Sequence, residues 1–158
     1  MTRLSDEERD ALLARFRRWL HDKGLPATRQ RELIAEIIIR SDDHLSADAV
    51  ARRLAERGVR IGTATIYRTL ELLQSGGFVR AHEFGEGFRR FEAATGRDRH
   101  EHLVCARCGR VTEFASERLE RILAVIGDEY RFRPDRHRVE IFGTCAECVD
   151  RELGGLRR

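Results

Sequence analysis

The sequence has no apolar run near the roughly 18 residues that a membrane-spanning helix needs. Its first residues, MTRLSDEERD, contain no apolar segment of the kind that directs export. It also has no internal repeat and no low-complexity tract. We therefore expect a soluble, cytoplasmic protein with no membrane partner.

Positive charge is in only slight excess, with 30 basic against 27 acidic residues and a formal net charge of +3. This excess is too small to indicate nucleic-acid binding, so only the placement of the charges can do so. Charged residues make up 36% of the chain, but the 41% of hydrophobic residues are sufficient for a core, which argues against disorder. The 158 residues allow one domain or two small ones.

Apolar residues at helical spacing predict four helices in the first half of the chain, over about residues 6–21, 28–40, 47–57 and 63–75. Two short apolar and basic runs, 78–84 and 88–92, flank Gly85-Glu86-Gly87 and predict a β-hairpin. Helices followed by a two-stranded ribbon are typical of a winged helix-turn-helix, whose last helix enters the major groove of DNA.

The second half of the chain has a different pattern. Residues 93–99 are small and polar, which predicts a linker between a first domain, 1–92, and a second, 100–158. Beyond it we expect strands near 102–105, 110–114 and 139–144, and an amphipathic helix over 116–129. The fold class is therefore α+β, a winged helix-turn-helix domain followed by a small α/β domain.

Positive charge concentrates around the predicted fourth helix. Residues 52–80 contain six arginines and two glutamates. Thr65, Tyr67 and Arg68 lie away from the apolar face of the helix and suit contacts with phosphates and base edges. The alternative is an ordinary solvated helix face, but the order of helices and hairpin favours DNA binding.

Four cysteines form two C-x-x-C pairs, Cys105 with Cys108 and Cys145 with Cys148. In a reducing compartment, four thiolates suit a closed tetrahedral zinc site. The 36 residues between the pairs exceed the gap of a simple zinc ribbon, and the predicted amphipathic helix fits in that gap. The alternatives are unligated cysteines or a redox dithiol, but neither pair lies in a βαβ unit.

A second metal site is indicated by His100-Glu101-His102. In an extended segment the two imidazoles share one face and the carboxylate lies on the other, so two metal sites could lie back to back. Imidazole and carboxylate donors suit Fe, Zn, Ni or Mn better than Cu(I). The alternative is an ordinary pair of surface histidines, but the zinc motif next to it favours a metal. Three further residues could complete the histidine face: His44, Glu92 and Glu113.

Several motifs together resemble the ferric uptake regulator (Fur) family: GLPATRQR, HLSAD, IGTATIYRTL, RHEHLVCARCG and GTCAEC. The resemblance covers about residues 25–148, and its H-x-H-x-x-C-x-x-C run is highly specific. It implies a dimeric, metal-dependent winged-helix repressor that binds operator DNA and dimerises through its C-terminal domain.

The resemblance also implies three metal positions. The four cysteines match a structural Zn(II) site. A regulatory site is matched by His44, Glu92, His100, His102 and Glu113. An auxiliary site is matched by Glu101, Glu120 and His137. Arg99 stands where iron-type members often carry histidine, and its positive charge would weaken cation binding at the auxiliary site.

Glu92 is the carboxylate expected for iron sensing, so the resemblance implies Fe(II) as the regulatory ion, with Mn(II), Co(II) or Zn(II) as substitutes. Peroxide-sensing relatives tend to have Asp there, and zinc-sensing relatives often add a cysteine. A peroxide-, zinc- or manganese-sensing regulator is therefore the alternative. The DNA-contacting positions of the family are matched by Arg31, Tyr67 and Arg68.

A zinc hydrolase built on His100, His102 and Glu113 is the alternative from another class. A catalytic metal keeps one position open for water, and five candidate ligands would leave little room for it. We therefore expect a regulator of metal-uptake genes and not an enzyme.

Overall fold

The computed structural model describes residues 4–94, 101–135 and 137–155, with side chains described as far as residue 152. The chain divides between residues 97 and 98 into two compact units. The linker predicted over 93–99 lies mostly outside the described residues, as do His100 and Arg99.

The first unit contains four helices, and the cap of each explains where it begins. The helices are α1 (Asp6–Asp22), α2 (Arg29–Ile39), α3 (Ala47–Glu56) and α4 (Thr63–Ser75). Ser5, Thr28 and Ser46 each accept a hydrogen bond from a backbone N–H in the first turn of α1, α2 and α3. Gly62 precedes α4 without a side-chain cap.

A three-stranded sheet completes this unit, in the order β1-β3-β2. Its strands are β1 (Leu45–Ser46), β2 (Val79–Glu83) and β3 (Arg89–Ala93), and both pairings are antiparallel. The β2–β3 hairpin is the predicted wing. Helix faces and sheet share one apolar core, whose largest fully buried side chains include Phe16, Phe91, Leu20 and Ile34.

The second unit contains a smaller sheet and two helices. The elements are β4 (Glu101–Cys105), β5 (Val111–Phe114), α5 (Glu117–Glu129), β6 (Glu140–Gly143) and α6 (Ala146–Gly155). The strand order is β5-β4-β6, with β4 antiparallel to β5 and parallel to β6. The parallel pairing brings the chain after β6 next to the chain after β4, where the two cysteine pairs lie.

The predicted fold class, a winged-helix unit followed by a small α/β unit, is confirmed. Two elements were not predicted, β1 and α6. A strand of two residues is too short to show alternation, and α6 ends in Gly154-Gly155, which are poor helix formers. In the described parts of the chain, no helix combines the length and apolarity needed to cross a membrane.

Candidate metal centres and nucleic-acid interface

The four cysteines converge in the second unit. Cys105 ends β4, Cys108 lies in the turn that follows, and Cys145 and Cys148 lie at the start of α6. Their four sulfur atoms all lie within 4.8 Å of one another. The Sγ atoms of Cys108 and Cys145 are 3.8 Å apart, and a tetrahedral site with Zn–S bonds of about 2.3 Å has sulfur–sulfur edges of about 3.8 Å. The donor set therefore fits zinc.

The pKa values of two of these thiols are shifted in opposite directions. Backbone N–H groups of Cys108, Cys145 and Arg107 stabilise the thiolate of Cys105 and lower its pKa to about 6. Hydrogen bonds with the sulfurs of Cys145 and Cys108, together with burial, raise the pKa of Cys148 to about 12. Cys105 is thus a thiolate at neutral pH, whereas Cys148 keeps its proton until a cation displaces it.

Two ion pairs connect the first cysteine pair to α6. Arg110 binds Glu147 through two parallel hydrogen bonds, of 2.6 and 2.5 Å. These bonds raise the pKa of Arg110 and lower that of Glu147, since each stabilises the charged partner. Arg107 pairs with Glu152 one turn further along the helix. The sequence pattern did not identify these residues, although Arg107 lies between the two cysteines of the first pair and Arg110 lies two residues after them.

A second cluster of metal-binding side chains lies in the first unit. His44 Nε2 is 3.3 Å from Glu92 Oε2, and both residues are buried. His82 Nε2 is 2.9 Å from the other carboxylate oxygen, Oε1. The structure therefore brings together two predicted residues, His44 and Glu92, and adds His82.

The sheet explains this cluster. Leu45 pairs with Phe91, so the antiparallel register places the preceding His44 beside Glu92. Arg80 pairs with Glu92 and His82 with Arg90, so His82 and Glu92 are diagonal neighbours on one sheet face. The hairpin sequence contained this signal, because a loop around Gly85-Glu86-Gly87 fixes the register of the two strands.

Ion pairs anchor the loop that precedes His44. Arg9 of α1, itself buried, pairs with Asp42, and its Nη1 donates to the carbonyl oxygen of Ile39. Asp43 accepts a hydrogen bond of 2.6 Å from Arg53 of α3. The two aspartates therefore fix the loop to two helices.

The remaining predicted ligands lie in the second unit. His102 of β4 and Glu113 of β5 are directly opposite each other in the antiparallel register. Glu101, on the other face of β4, accepts a hydrogen bond from Val139 N and lies 2.8 Å from His137 Nε2. His137 Nε2 is also 3.4 Å from Glu120 Oε1. The alternation of Glu101 and His102 thus separates two groups of ligands.

The residues predicted to contact DNA lie on α4 and at the start of α2. Tyr67 and Arg68 are exposed and Thr65 is partly exposed, whereas Ile66 between them is buried in the core. The Arg31 side chain donates to the carbonyl oxygen of Pro26 at 2.6 Å. The α4 residues thus lie on the outer face of the helix, away from the core.

Comparison with known proteins identifies the family. The model of the ferric uptake regulator family matches residues 22–142. The ferric uptake regulation protein of Campylobacter jejuni is 33% identical over 147 residues, which cover 92% of this chain and 93% of that protein.

Solved structures agree. The ferric uptake regulator of Helicobacter pylori, described with three functional metal-binding sites, superposes with a TM-score of 0.84 at 28% identity, covering 94% of this chain and 97% of the other. A zinc uptake regulator complexed with zinc and DNA has a TM-score of 0.56 at 26% identity, with 92% and 97% covered. A zinc-bound manganese uptake regulator is also similar. The chain therefore belongs to the ferric uptake regulator family, whose members are transcriptional regulators and not enzymes.

Proposed function

We propose that this chain is a metal-responsive, DNA-binding transcriptional repressor that senses Fe(II) and controls metal-uptake genes. The observation that carries the proposal is the buried pair of His44 and Glu92, 3.3 Å apart, in the winged-helix unit. A second imidazole–carboxylate pair, His102 opposite Glu113, lies in the other unit. The proposal takes these residues, together with His100, as one donor set drawn from both units.

The chemistry of the donors supports iron. The set contains only imidazole and carboxylate groups, which suit Fe(II), Mn(II), Co(II) and Zn(II) and disfavour Cu(I). The similar regulators are named for iron, zinc and manganese, so membership of the family leaves the metal open. The choice of Fe(II) comes from Glu92 and from the lack of cysteine among the proposed regulatory ligands.

The proposal assigns the four cysteines to a structural zinc ion. The ion would tie the end of β4 to the start of α6 and stabilise the small sheet between them. Closed four-thiolate sites leave no position for substrate, which agrees with a structural role.

A further ion is proposed for Glu101, Glu120 and His137, whose donor atoms lie within 4.8 Å of one another. All three residues lie in the second unit, on the face of β4 opposite His102. An ion there would stabilise this unit alone, so we assign it an auxiliary role.

The proposed DNA interface is the outer face of α4, with Thr65, Tyr67 and Arg68, together with Arg31. Their hydroxyl, phenol and guanidinium groups suit phosphate and base-edge contacts in a major groove. The similarity to a regulator complexed with DNA supports this assignment.

A homodimer is supported by exposed apolar side chains in the second unit. Ile122, Val125, Ile126 and Tyr130 are spaced at helical intervals along α5 and its C-terminal cap, and they are 45–77% exposed. Leu103 and Ile141, paired across β4 and β6, are exposed as well. An apolar surface of this kind is typical of a subunit interface.

The proposed mechanism is a change in conformational populations. An ion held by ligands from both units favours the arrangement of units that matches the spacing of two operator half-sites. It acts only through its stronger binding to that arrangement, since equal binding to all arrangements would change nothing. A bias of about 2–3 kcal/mol is within the usual range for coupled sites.

DNA titrations test the proposal. A duplex is selected from a random pool with Mn(II), an air-stable substitute for Fe(II), and its affinity is measured with and without metal. We expect the zinc-loaded protein to bind about 30- to 150-fold more tightly with Mn(II). His44→Ala should abolish this response and leave the zinc content unchanged.

His21→Ala is the matched control, because His21 is exposed and far from the cluster in sequence. It should retain the full response. Equal DNA affinity with and without metal in the unsubstituted protein would overturn the proposal. Metal analysis of protein purified anaerobically then decides between Fe(II) and the other ions.

A further inference from the structure

His82 of β2 is a histidine that the proposed regulatory site does not use. Its Nε2 atom lies 2.9 Å from Glu92 Oε1, while His44 Nε2 lies 3.3 Å from Glu92 Oε2. The carboxylate therefore has one imidazole nitrogen at each oxygen. All three side chains are at least 88% buried, so this is not a chance surface contact.

These distances fit the coordination shell of one ion. Donors bound at about 2.1 Å are about 3.0 Å apart at adjacent octahedral positions and about 3.4 Å apart at tetrahedral ones. The observed separations, 2.9 and 3.3 Å, lie within or close to this interval. A carboxylate with one imidazole at each of its oxygens is also a donor set suited to Fe(II), Mn(II) and Zn(II).

An aromatic side chain holds the two imidazoles in place. The buried ring of Phe84 stacks on His82 with an interplanar angle of 6° and meets the ring of His44 edge-on. The rings of His44 and His82 are themselves edge to face, with centroids 5.3 Å apart. Packing of this kind fixes rotamers before a ligand arrives, which lowers the entropic cost of binding.

We propose that His82 is a further ligand of the regulatory ion, so that the winged-helix unit alone supplies three side-chain ligands: His44, His82 and Glu92. This inference rests on the proposed function. It adds an order of events, since the three ligands that the winged-helix unit supplies bind the ion first and the ligands of the second unit bind afterwards. The metal response then depends on β2 as well as on β3 and the loop before β1.

The alternative role for His82 is to orient Glu92 by a hydrogen bond without contacting the ion. Loss of such a supporting contact typically weakens metal binding by about 10- to 100-fold. Affinity alone therefore does not separate the two roles. A spectroscopic signal that arises only from a metal–ligand bond does.

Replacing the ligand atom provides that signal. His82→Cys is titrated with Co(II) in full-length, zinc-loaded protein under anaerobic conditions. We expect a near-ultraviolet sulfur-to-cobalt charge-transfer band that is absent from the unsubstituted protein. His21→Cys, with its thiol at an exposed position, is the matched control and should give no band. Zinc analysis after each titration confirms that the four native cysteines keep their zinc.

Two alanine variants separate failure of this inference from failure of the proposed function. His82→Ala and His44→Ala should each weaken Co(II) binding by about 100-fold or more and alter the d–d bands of the remaining complex. Circular dichroism and the thermal midpoint verify folding.

A His82→Cys protein that binds Co(II) without the band would overturn the inference. A His82→Ala protein whose bound Co(II) has unaltered d–d bands would also overturn the inference. This second result tests the inference even if His82→Cys does not fold. In both cases the proposed function stands as long as His44→Ala loses the ion. A His44→Ala protein that binds Co(II) normally would overturn the proposed function as well.

Discussion

The shifted pKa values of Cys105 and Cys148 determine how zinc competes with protons for the four thiols. Cys105 is stabilised as a thiolate by backbone N–H groups, whereas the neighbouring sulfurs keep Cys148 protonated. Zinc binds thiolates, so loading the site must release the proton of Cys148 throughout the neutral pH range. Zinc binding releases a second proton, from Cys105, only where the pH lies below the pKa of Cys105, which is about 6.

Zinc affinity of the metal-free, reduced protein should therefore rise with pH. Between about pH 6 and about pH 9 we expect an increase of at least about tenfold per unit, with a steeper dependence below about pH 6. Competition with a chelator of known affinity at each pH measures this. A zinc affinity that stays constant over this range would contradict the assigned proton on Cys148.

At the same scale, residue type and spacing were enough to find most of the candidate ligands. Thiols and imidazoles are rare enough in this chain that their spacing carries information. His82 was missed because its neighbour Glu92 lies across a hairpin, and only the strand register makes them neighbours. The role of Asp42 was missed because its partner, Arg9, is 33 residues away.

At the scale of elements, ion pairs add to the connection between α6 and the turn after β4. Arg110 and Glu147 are exposed, yet two parallel hydrogen bonds give the pair a defined geometry. Glu147 lies between Cys145 and Cys148, and Arg110 lies two residues after Cys108. The pair therefore restrains the two halves of the zinc site relative to each other.

We expect Arg110→Ala to speed the release of zinc to excess chelator by several-fold, because the cysteine pairs separate more readily. Exchanging the charges, with Arg110→Glu and Glu147→Arg together, should restore most of the original rate. Arg17→Ala, which breaks an exposed pair between α1 and α2, is the control and should leave the release rate unchanged. A rate for Arg110→Ala equal to that of the control would show that the pair does not restrain the site.

Most elements could be predicted because their apolar periodicity is strong, as in α1 to α5. The exceptions have little periodicity of their own. β1 exists because Leu45 and Ser46 pair with β3, and α6 begins inside the second cysteine pair, directly after Cys145. Helix α5 was predicted as amphipathic, yet much of its apolar face is exposed in the single chain.

At the scale of the whole molecule, that exposed face predicts a second copy of the chain. Ile126→Glu places a charge at the centre of the apolar stripe on α5, where a dimer would bury it without a partner. We expect this variant to be monomeric in analytical ultracentrifugation at concentrations where the unsubstituted protein is a dimer.

Phe88→Glu is the matched control, since Phe88 is similarly exposed but lies in the first unit. It should remain dimeric. If Ile126→Glu also remains dimeric at micromolar concentration, α5 is not the interface.

The central claim is that one ion, held by ligands from both units, fixes their arrangement. Single-molecule energy transfer between dyes at positions 18 and 121, one exposed site in each unit, tests it most directly. Dyes are attached through non-natural amino acids, and mixed dimers carry one labelled protomer. The protein starts with zinc only at the four cysteines. We predict that saturating the regulatory site with further Zn(II) narrows the distribution of distances between the two dyes. The same addition should leave the distribution of His44→Ala unchanged. The same distribution with and without metal in the unsubstituted protein would contradict the account.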